Sequence, residues 1–297
     1  MRSQPINLIV GSDSFIGKAL MAHLQRAGKR VVGTTRRHEA VDKFHLYLDL
    51  SEDVETWQCP WPVSVAVVCA GVTKLDVCSR DPVTSAHVNV QGVSTLVKNL
   101  VAGGAFVIYL STNQVFDGSV PYRLPNDPLS PITEYGRQKA ETERRISQWN
   151  DSVAIVRFTK ILGLGISPFS EWTEALKKGK NIHPFVDMYI APVPLSCAVS
   201  VLHLVVDQRL PNILQVSGGV DVSYAEAAYR GASLLGADLR LVQPVKAHQS
   251  NKYTEPVPLH TTLNIDRLRS MLGIEPPNVW WTIEKAFIQP HVLLGIY

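Results

Sequence analysis

The chain has 297 residues, 45% of them hydrophobic, which is enough to bury one large core and a smaller second lobe. Its formal charge of +3 comes from 29 basic and 26 acidic residues with no lysine or arginine block, which argues against a nucleic-acid partner. No run stays apolar for the ~20 residues that a bilayer span needs, and residues 1–10 lack a signal peptide's apolar core, so a soluble, cytoplasmic protein with no membrane partner is expected.

Through the first half, β-branched runs alternate with amphipathic segments, the pattern of a parallel sheet covered by helices on both faces. A strand at Ile6–Val10 precedes a helix over 15–27, with Ile16, Leu20 and Leu24 on one face and Gly28 as its stop. Strands at 30–34, 45–49, 63–69, 105–110 and 153–157, with helices at 83–101 and 133–149, complete an α/β, doubly wound, Rossmann-type sheet. Cys59, Cys69, Cys78 and Cys197 fall at no metal-ligand or redox spacing, so buried, reduced thiols and no metal are expected.

After Arg157 the texture changes, because Gly163, Gly165 and Pro168 break the alternation before a short helix at 171–178. Helices at 195–207 and 224–235, a strand at 213–216 and a helical segment from Asp266 form the smaller C-terminal α/β lobe. The expected division is 1–157 and 158–297, with the strand at 213–216 the one segment placed to return to the main sheet.

Between the first strand and helix runs Gly11-Ser12-Asp13-Ser14-Phe15-Ile16-Gly17, where a dinucleotide's pyrophosphate meets backbone N–H groups and a positive helix end. Gly11 permits the tight turn and Gly17 the close helix–strand packing. Ser14 stands where such fingerprints usually carry glycine, and a purely structural turn explains the loop alone equally well. The second strand ends Gly33-Thr34-Thr35-Arg36-Arg37, with no acid to accept from a ribose diol. Arg36 and Arg37 instead offer planar forks for a 2′-phosphate, favouring NADP(H) over NAD(H), with a solvated basic turn as the plain alternative. Asp49 and Leu50 are placed to border an adenine, and Ala70 and Gly71 to pass the nicotinamide ribose.

Tyr135 and Lys139 stand at i and i+4, one turn apart on one helix face. A tyrosine with an ordinary pKa of ~10 serves as an acid–base catalyst near neutrality when a fixed cation stabilises its phenolate, and Lys139 supplies one. Thr112, within Ser111-Thr112-Asn113-Gln114-Val115-Phe116-Asp117-Gly118, follows the fifth strand at the end where doubly wound sheets bind ligands.

On these motifs the whole chain resembles the extended short-chain dehydrogenases, most closely the dTDP-4-dehydrorhamnose reductase group. The carriers are the Gly11–Gly17 turn, the segment 111–118, and Pro131-Ile132-Thr133-Glu134-Tyr135-Gly136-Arg137-Gln138-Lys139 running on to Glu143. The resemblance implies a catalytic trio of Thr112, Tyr135 and Lys139, with Tyr135 protonating a sugar keto oxygen while NADPH delivers hydride. It also implies that Lys139 lowers the tyrosine pKa and binds the nicotinamide ribose, and that Asn89 steadies that lysine. Gly11, Ser14, Phe15, Ile16 and Gly17 would hold the pyrophosphate. Relatives of the rhamnose-forming type carry an aspartate and a tyrosine where this chain has Asn113 and Gln114, which leaves substrate and stereochemistry open.

Lys160, at a position often aromatic or amide in relatives, reads either as a contact for a diphosphate or sugar carboxylate or as a solvent-facing lysine. Trp172 reads as a nucleobase platform or as lobe core, and His183 as structural. The expected substrate is thus a nucleotide-linked 4-keto sugar, bound by Thr112, Asn113, Lys160 and Trp172. Epimerisation is the neighbouring activity. The stretch around 104–139 also resembles the regulatory subunits of methionine adenosyltransferase, which implies a non-catalytic, NADP-binding alternative. Relatives pair the helices at 83–101 and 133–149 across a two-fold axis, so the resemblance implies a homodimer.

Overall fold

A computed structural model describes residues 5–247, 255–256 and 258–294. The element order is β1 (Ile6–Val10), α1 (Phe15–Arg26), β2 (Val31–Thr35), β3 (His45–Tyr47), β4 (Val63–Val68), α2 (Leu75–Arg80), α3 (Pro82–Ala86), α4 (Val93–Ala102) and β5 (Phe106–Thr112). Then come α5 (Glu134–Ile146), β6 (Val153–Phe158), β7 (Ile161–Leu162), α6 (Phe169–Lys177), β8 (Tyr189–Ile190), β9 (Val193–Pro194) and α7 (Leu195–Gln208). The chain continues through β10 (Asn212–Val216), β11 (Val222–Ser223), α8 (Tyr224–Leu234), α9 (Asp266–Leu272) and α10 (Val279–Ile288).

The seven-stranded sheet has the order β10-β6-β5-β4-β1-β2-β3. β1 runs parallel to both β2 and β4, which makes the β1/β4 seam the switch point where the winding reverses. The strands are buried on both faces and read as continuous apolar runs, as in Val65, Ala66, Val67 and Val68 of β4. Val93, Leu96, Val97 and Leu100 of α4 pack into the same core as Val10, Val68, Val107 and Ile155. Each such side chain contributes roughly 1.5–3 kcal/mol by leaving water.

Two compact units interleave along the chain. The first takes the residues through Val115, then Thr133–Arg157 and Val199–Leu214; the second takes Phe116–Ile132, Phe158–Ala198 and the described residues from Gln215 on. A single division at 157/158 is therefore replaced by several crossings. The physical reason is that β10 adds to the sheet edge beside β6, carrying most of α7 with it.

The second unit has its own core of Leu162, Phe169, Trp172, Leu176, Ile182, Ile283 and Phe287. Its α8 starts at a capping box in which Ser223 accepts from the Glu226 N–H and the Glu226 carboxylate accepts from the Ser223 N–H.

Some boundaries differ from those expected. β3 stops at Tyr47 rather than 49, and β5 runs on to include Ser111 and Thr112. The helix expected over 83–101 begins earlier, at α2, and passes through a π-helical turn at His87–Gly92 before α4. Asp81 restarts it by accepting from the Thr84 N–H, with Pro82 in the first turn.

Candidate active site

The glycine turn lies on the switch point. Gly11 has φ +76°, and a Cβ there would come 2.9 Å from Ala70 on the adjoining strand's loop. A Cβ on Gly17 would meet the Gly11 carbonyl oxygen at 2.3 Å, so helix and turn pack backbone to backbone. Ser14 is the N-cap of α1: its hydroxyl accepts from the Gly17 N–H at 3.1 Å, and its carbonyl from the Lys18 N–H at 2.9 Å. Phe15 and Ile16 are left as the helix's N-terminal N–H groups without an intrahelical acceptor. The serine in the glycine position thus completes the helix end, and the free donors with the positive helix terminus fit a pyrophosphate.

β2 stitches this turn in place. The Gly11 N–H donates to Thr34 Oγ1 at 3.0 Å, and the Ser12 N–H and hydroxyl both donate to the Thr34 carbonyl. Asp13 therefore projects to the end of β2, where its Oδ2 accepts from Thr35 Oγ1 at 3.0 Å and from Arg37 Nε at 3.1 Å. The expectation of no acid at this corner is corrected: the carboxylate arrives from the neighbouring segment. Arg36 is exposed and forms no ion pair among the described residues.

Asp49 accepts from the Ser51 N–H and hydroxyl, capping its own turn, and Leu50 is buried in the sheet core. The Leu50 side chain is thus a packing group of that core. After β4, the Asn89 amide accepts from the Val72 N–H at 2.7 Å and donates to the Val72 carbonyl at 2.9 Å, which fixes the turn holding Ala70 and Gly71. Asn89 also donates to Gln138 Oε1 at 2.8 Å. It thus joins that turn to α5, the helix that carries Lys139.

At the other corner, α5 docks on β5 at several points. Thr133 caps α5 by accepting from the Gly136 N–H and donates to Gln114 Oε1 at 3.0 Å. A Cβ on Gly136 would lie 2.1 Å from the Gln114 carbonyl oxygen, so only glycine lets the helix approach this closely. One turn on, Lys139 Nζ donates to the Leu110 carbonyl at 2.6 Å and sits over the Tyr109 ring, 4.3 Å from its centre. These attachments flank Thr112, whose hydroxyl oxygen accepts from the Gln114 N–H at 3.2 Å and keeps its own proton to donate. Asn113 opens the turn that follows. Gln114 is held by Thr133.

Beneath the trio, Ser111 donates to Glu143 Oε1 at 2.5 Å, and Arg157 Nη2 meets Glu143 Oε2 at 2.6 Å. With side chains 1% and 3% exposed, Arg157 and Glu143 form a buried ion pair that ties β5, α5 and β6 together. Burial pulls the Lys139 ammonium down to about 8, with the Glu143 carboxylate opposing that fall. Burial also raises the Tyr135 phenol above its ordinary value. Burial likewise pushes the Cys69 thiol up to about 12.

In the second unit, Lys160 is half-buried and its ammonium is lowered by burial. Trp172 packs in the lobe core, 5.6 Å from the Phe169 ring centre and edge-on to Tyr224 at 6.0 Å. Trp172 is thus a packing residue of the second unit's core. His183 bonds the Gln243 carbonyl through Nδ1. Among the described residues no cluster of three metal-ligating side chains occurs, and no helix is long and apolar enough to cross a membrane.

The family model described as "RmlD substrate binding domain" matches residues 6–291, and the chain belongs to that family. Methionine adenosyltransferase 2 subunit beta of Rattus norvegicus is 30% identical over 156 residues, 52% of this chain and 47% of that protein, so the chain spans about half the length of this curated relative. A probable low-salt glycan biosynthesis reductase of Haloferax volcanii is 22% identical over 282 residues, covering 91% of this chain and 93% of that one. Among solved structures, a dTDP-4-dehydrorhamnose reductase from Bacillus anthracis in complex with NADP superposes with TM-score 0.85 at 20% identity, covering 97% of this chain and 100% of that one.

Proposed function

We propose that the chain is an NADPH-dependent reductase of a nucleotide-linked 4-keto sugar, acting in polysaccharide or glycan assembly in the cytoplasm. The observation that carries this reading is the seat of Lys139 on the Leu110 carbonyl, one turn from Tyr135 on α5 and two residues before Thr112 on β5. The Gly11–Gly17 turn with the Phe15 and Ile16 N–H groups would hold the pyrophosphate of a nicotinamide dinucleotide, and Arg36 its 2′-phosphate. Bound there, the dinucleotide supplies hydride to the carbonyl carbon. Thr112 donates a hydrogen bond to the keto oxygen, with Asn113 lining the sugar side. Tyr135, protonated at neutral pH, gives its proton to the same oxygen as it becomes an alkoxide, and the Lys139 ammonium stabilises the phenolate left behind. Lys160 would contribute a cation to the substrate. A homodimer pairing the helices at 83–101 and 133–149 belongs to the same reading.

A second reading is supported by the 30% identity to methionine adenosyltransferase 2 subunit beta: a non-catalytic subunit that binds the dinucleotide and a partner enzyme. Incubation with NADPH and a panel of nucleotide-linked 4-keto sugars separates the readings. Stoichiometric NADPH oxidation supports the reductase. Isomer formation without net oxidation points to epimerisation, and tight NADPH binding with no turnover of any sugar points to the regulatory subunit.

A further inference from the structure

The end of β2 carries two guanidiniums and one carboxylate, and the carboxylate has already chosen a partner. Asp13 Oδ2 accepts from Arg37 Nε at 3.1 Å and from Thr35 Oγ1 at 3.0 Å, while the Arg37 N–H donates to Thr35 Oγ1 at 3.1 Å. The arrangement is held from below by the Thr34 contacts to Gly11 and Ser12, so Asp13 keeps its place by backbone geometry. Both bonds fall on Oδ2, and Oδ1 takes neither.

We propose that Asp13 is the residue that sets dinucleotide choice: its carboxylate holds Arg37 away from a 2′-phosphate and offers its other oxygen to a 2′-hydroxyl. The inference rests on the dinucleotide reading above and deepens it. A 2′-phosphate carries close to two negative charges near neutrality, so a carboxylate at its binding corner opposes it while Arg36 alone attracts it. A ribose 2′-hydroxyl, by contrast, donates readily to a carboxylate. The pair is accessible, with Arg37 and Asp13 side chains 56% and 31% exposed, so water and salt screen it and an incoming ligand can reach both partners. The native chain is thus expected to bind both dinucleotides, NADPH the tighter by only a small factor.

The test is fluorescence titration of the whole chain with NADPH and NADH, for the native protein, Asp13→Asn, Arg37→Ala and the double variant. Freeing one guanidinium for a charge-assisted bond to phosphate is expected to raise the NADPH:NADH affinity ratio about tenfold in Asp13→Asn. The loss of NADPH affinity on Arg37→Ala should be about tenfold larger in the Asp13→Asn background than in the native one, since only there does Arg37 meet the phosphate. A ratio unchanged by Asp13→Asn, or equal costs of Arg37→Ala in both backgrounds, overturns the inference while leaving dinucleotide binding intact. Failure of the folded native chain to bind either dinucleotide overturns the reading beneath it as well.

Discussion

At the β5–α5 corner the charges are buried and enclosed: Lys139 lies on a carbonyl and an aromatic face, and Glu143 is shared between Ser111 and Arg157. At the β1–β2 corner they lie open, with Asp13 and Arg37 exposed and joined through Oδ2. The same types of charge do opposite work in the two places. Enclosed, they tie β5, α5 and β6 to one another. Open, they can exchange partners with a ligand. Position is held at one corner and selection is left adjustable at the other.

The contrast can be broken most severely at Glu143. Replacing it by alanine strands the Arg157 charge in the core, and a loss of about 3–5 kcal/mol is expected in denaturant unfolding. A loss under ~1 kcal/mol, the range of an exposed pair, would show that water reaches the site.

The next effect is on pH dependence. Lys139 is lowered to about 8 by burial, so its ammonium is complete below that value and is lost above it. Turnover should fall about fivefold between pH 8 and 9 on the loss of that cation. Binding of the dinucleotide should follow the same curve. The stability sign is opposite: the unfolded lysine keeps its proton to higher pH, so the cost of burying the ammonium is relieved as pH rises from about 8 towards its ordinary value. A flat rate profile through this window would mean that Lys139 is not the titrating group.

The smallest effect is expected at the open corner, where Asp13→Ala should change unfolding free energy by less than about 1 kcal/mol. A loss comparable to that of Glu143→Ala would remove the distinction between the two corners.

How much of this was legible in the sequence follows the same division. The Tyr135–Lys139 spacing and the Gly11–Gly17 turn could be read because their chemistry depends on local spacing along one helix and one loop. The parallel sheet was legible from its β-branched runs, and the return of β10 to its edge from one short apolar run. Asp13 could not be read from the sequence because its partners come from β2, and the strand end Gly33–Arg37 itself holds no acid. The bonds of Asn89 to Val72 and Gln138 were not legible, since it lies in a π-helical turn that a 3.6-residue pattern does not show. Trp172 could not be placed from its residue type, since an aromatic suits a core and a binding platform alike; its contacts with Phe169 and Tyr224 decide for the core. The signal that could have found Asp13 is an acid two residues past the first glycine, facing a Thr-Thr strand end.

The most direct test of the central claim is transfer of deuterium from labelled NADPH into a nucleotide-linked 4-keto sugar, followed by mass spectrometry for the native chain and Tyr135→Phe. One deuterium is expected in the native product, with a rate about 10²–10⁴-fold lower in Tyr135→Phe and NADPH binding retained. No label in any sugar product from a folded, NADPH-bound native chain, or equal rates for the two proteins, would contradict it.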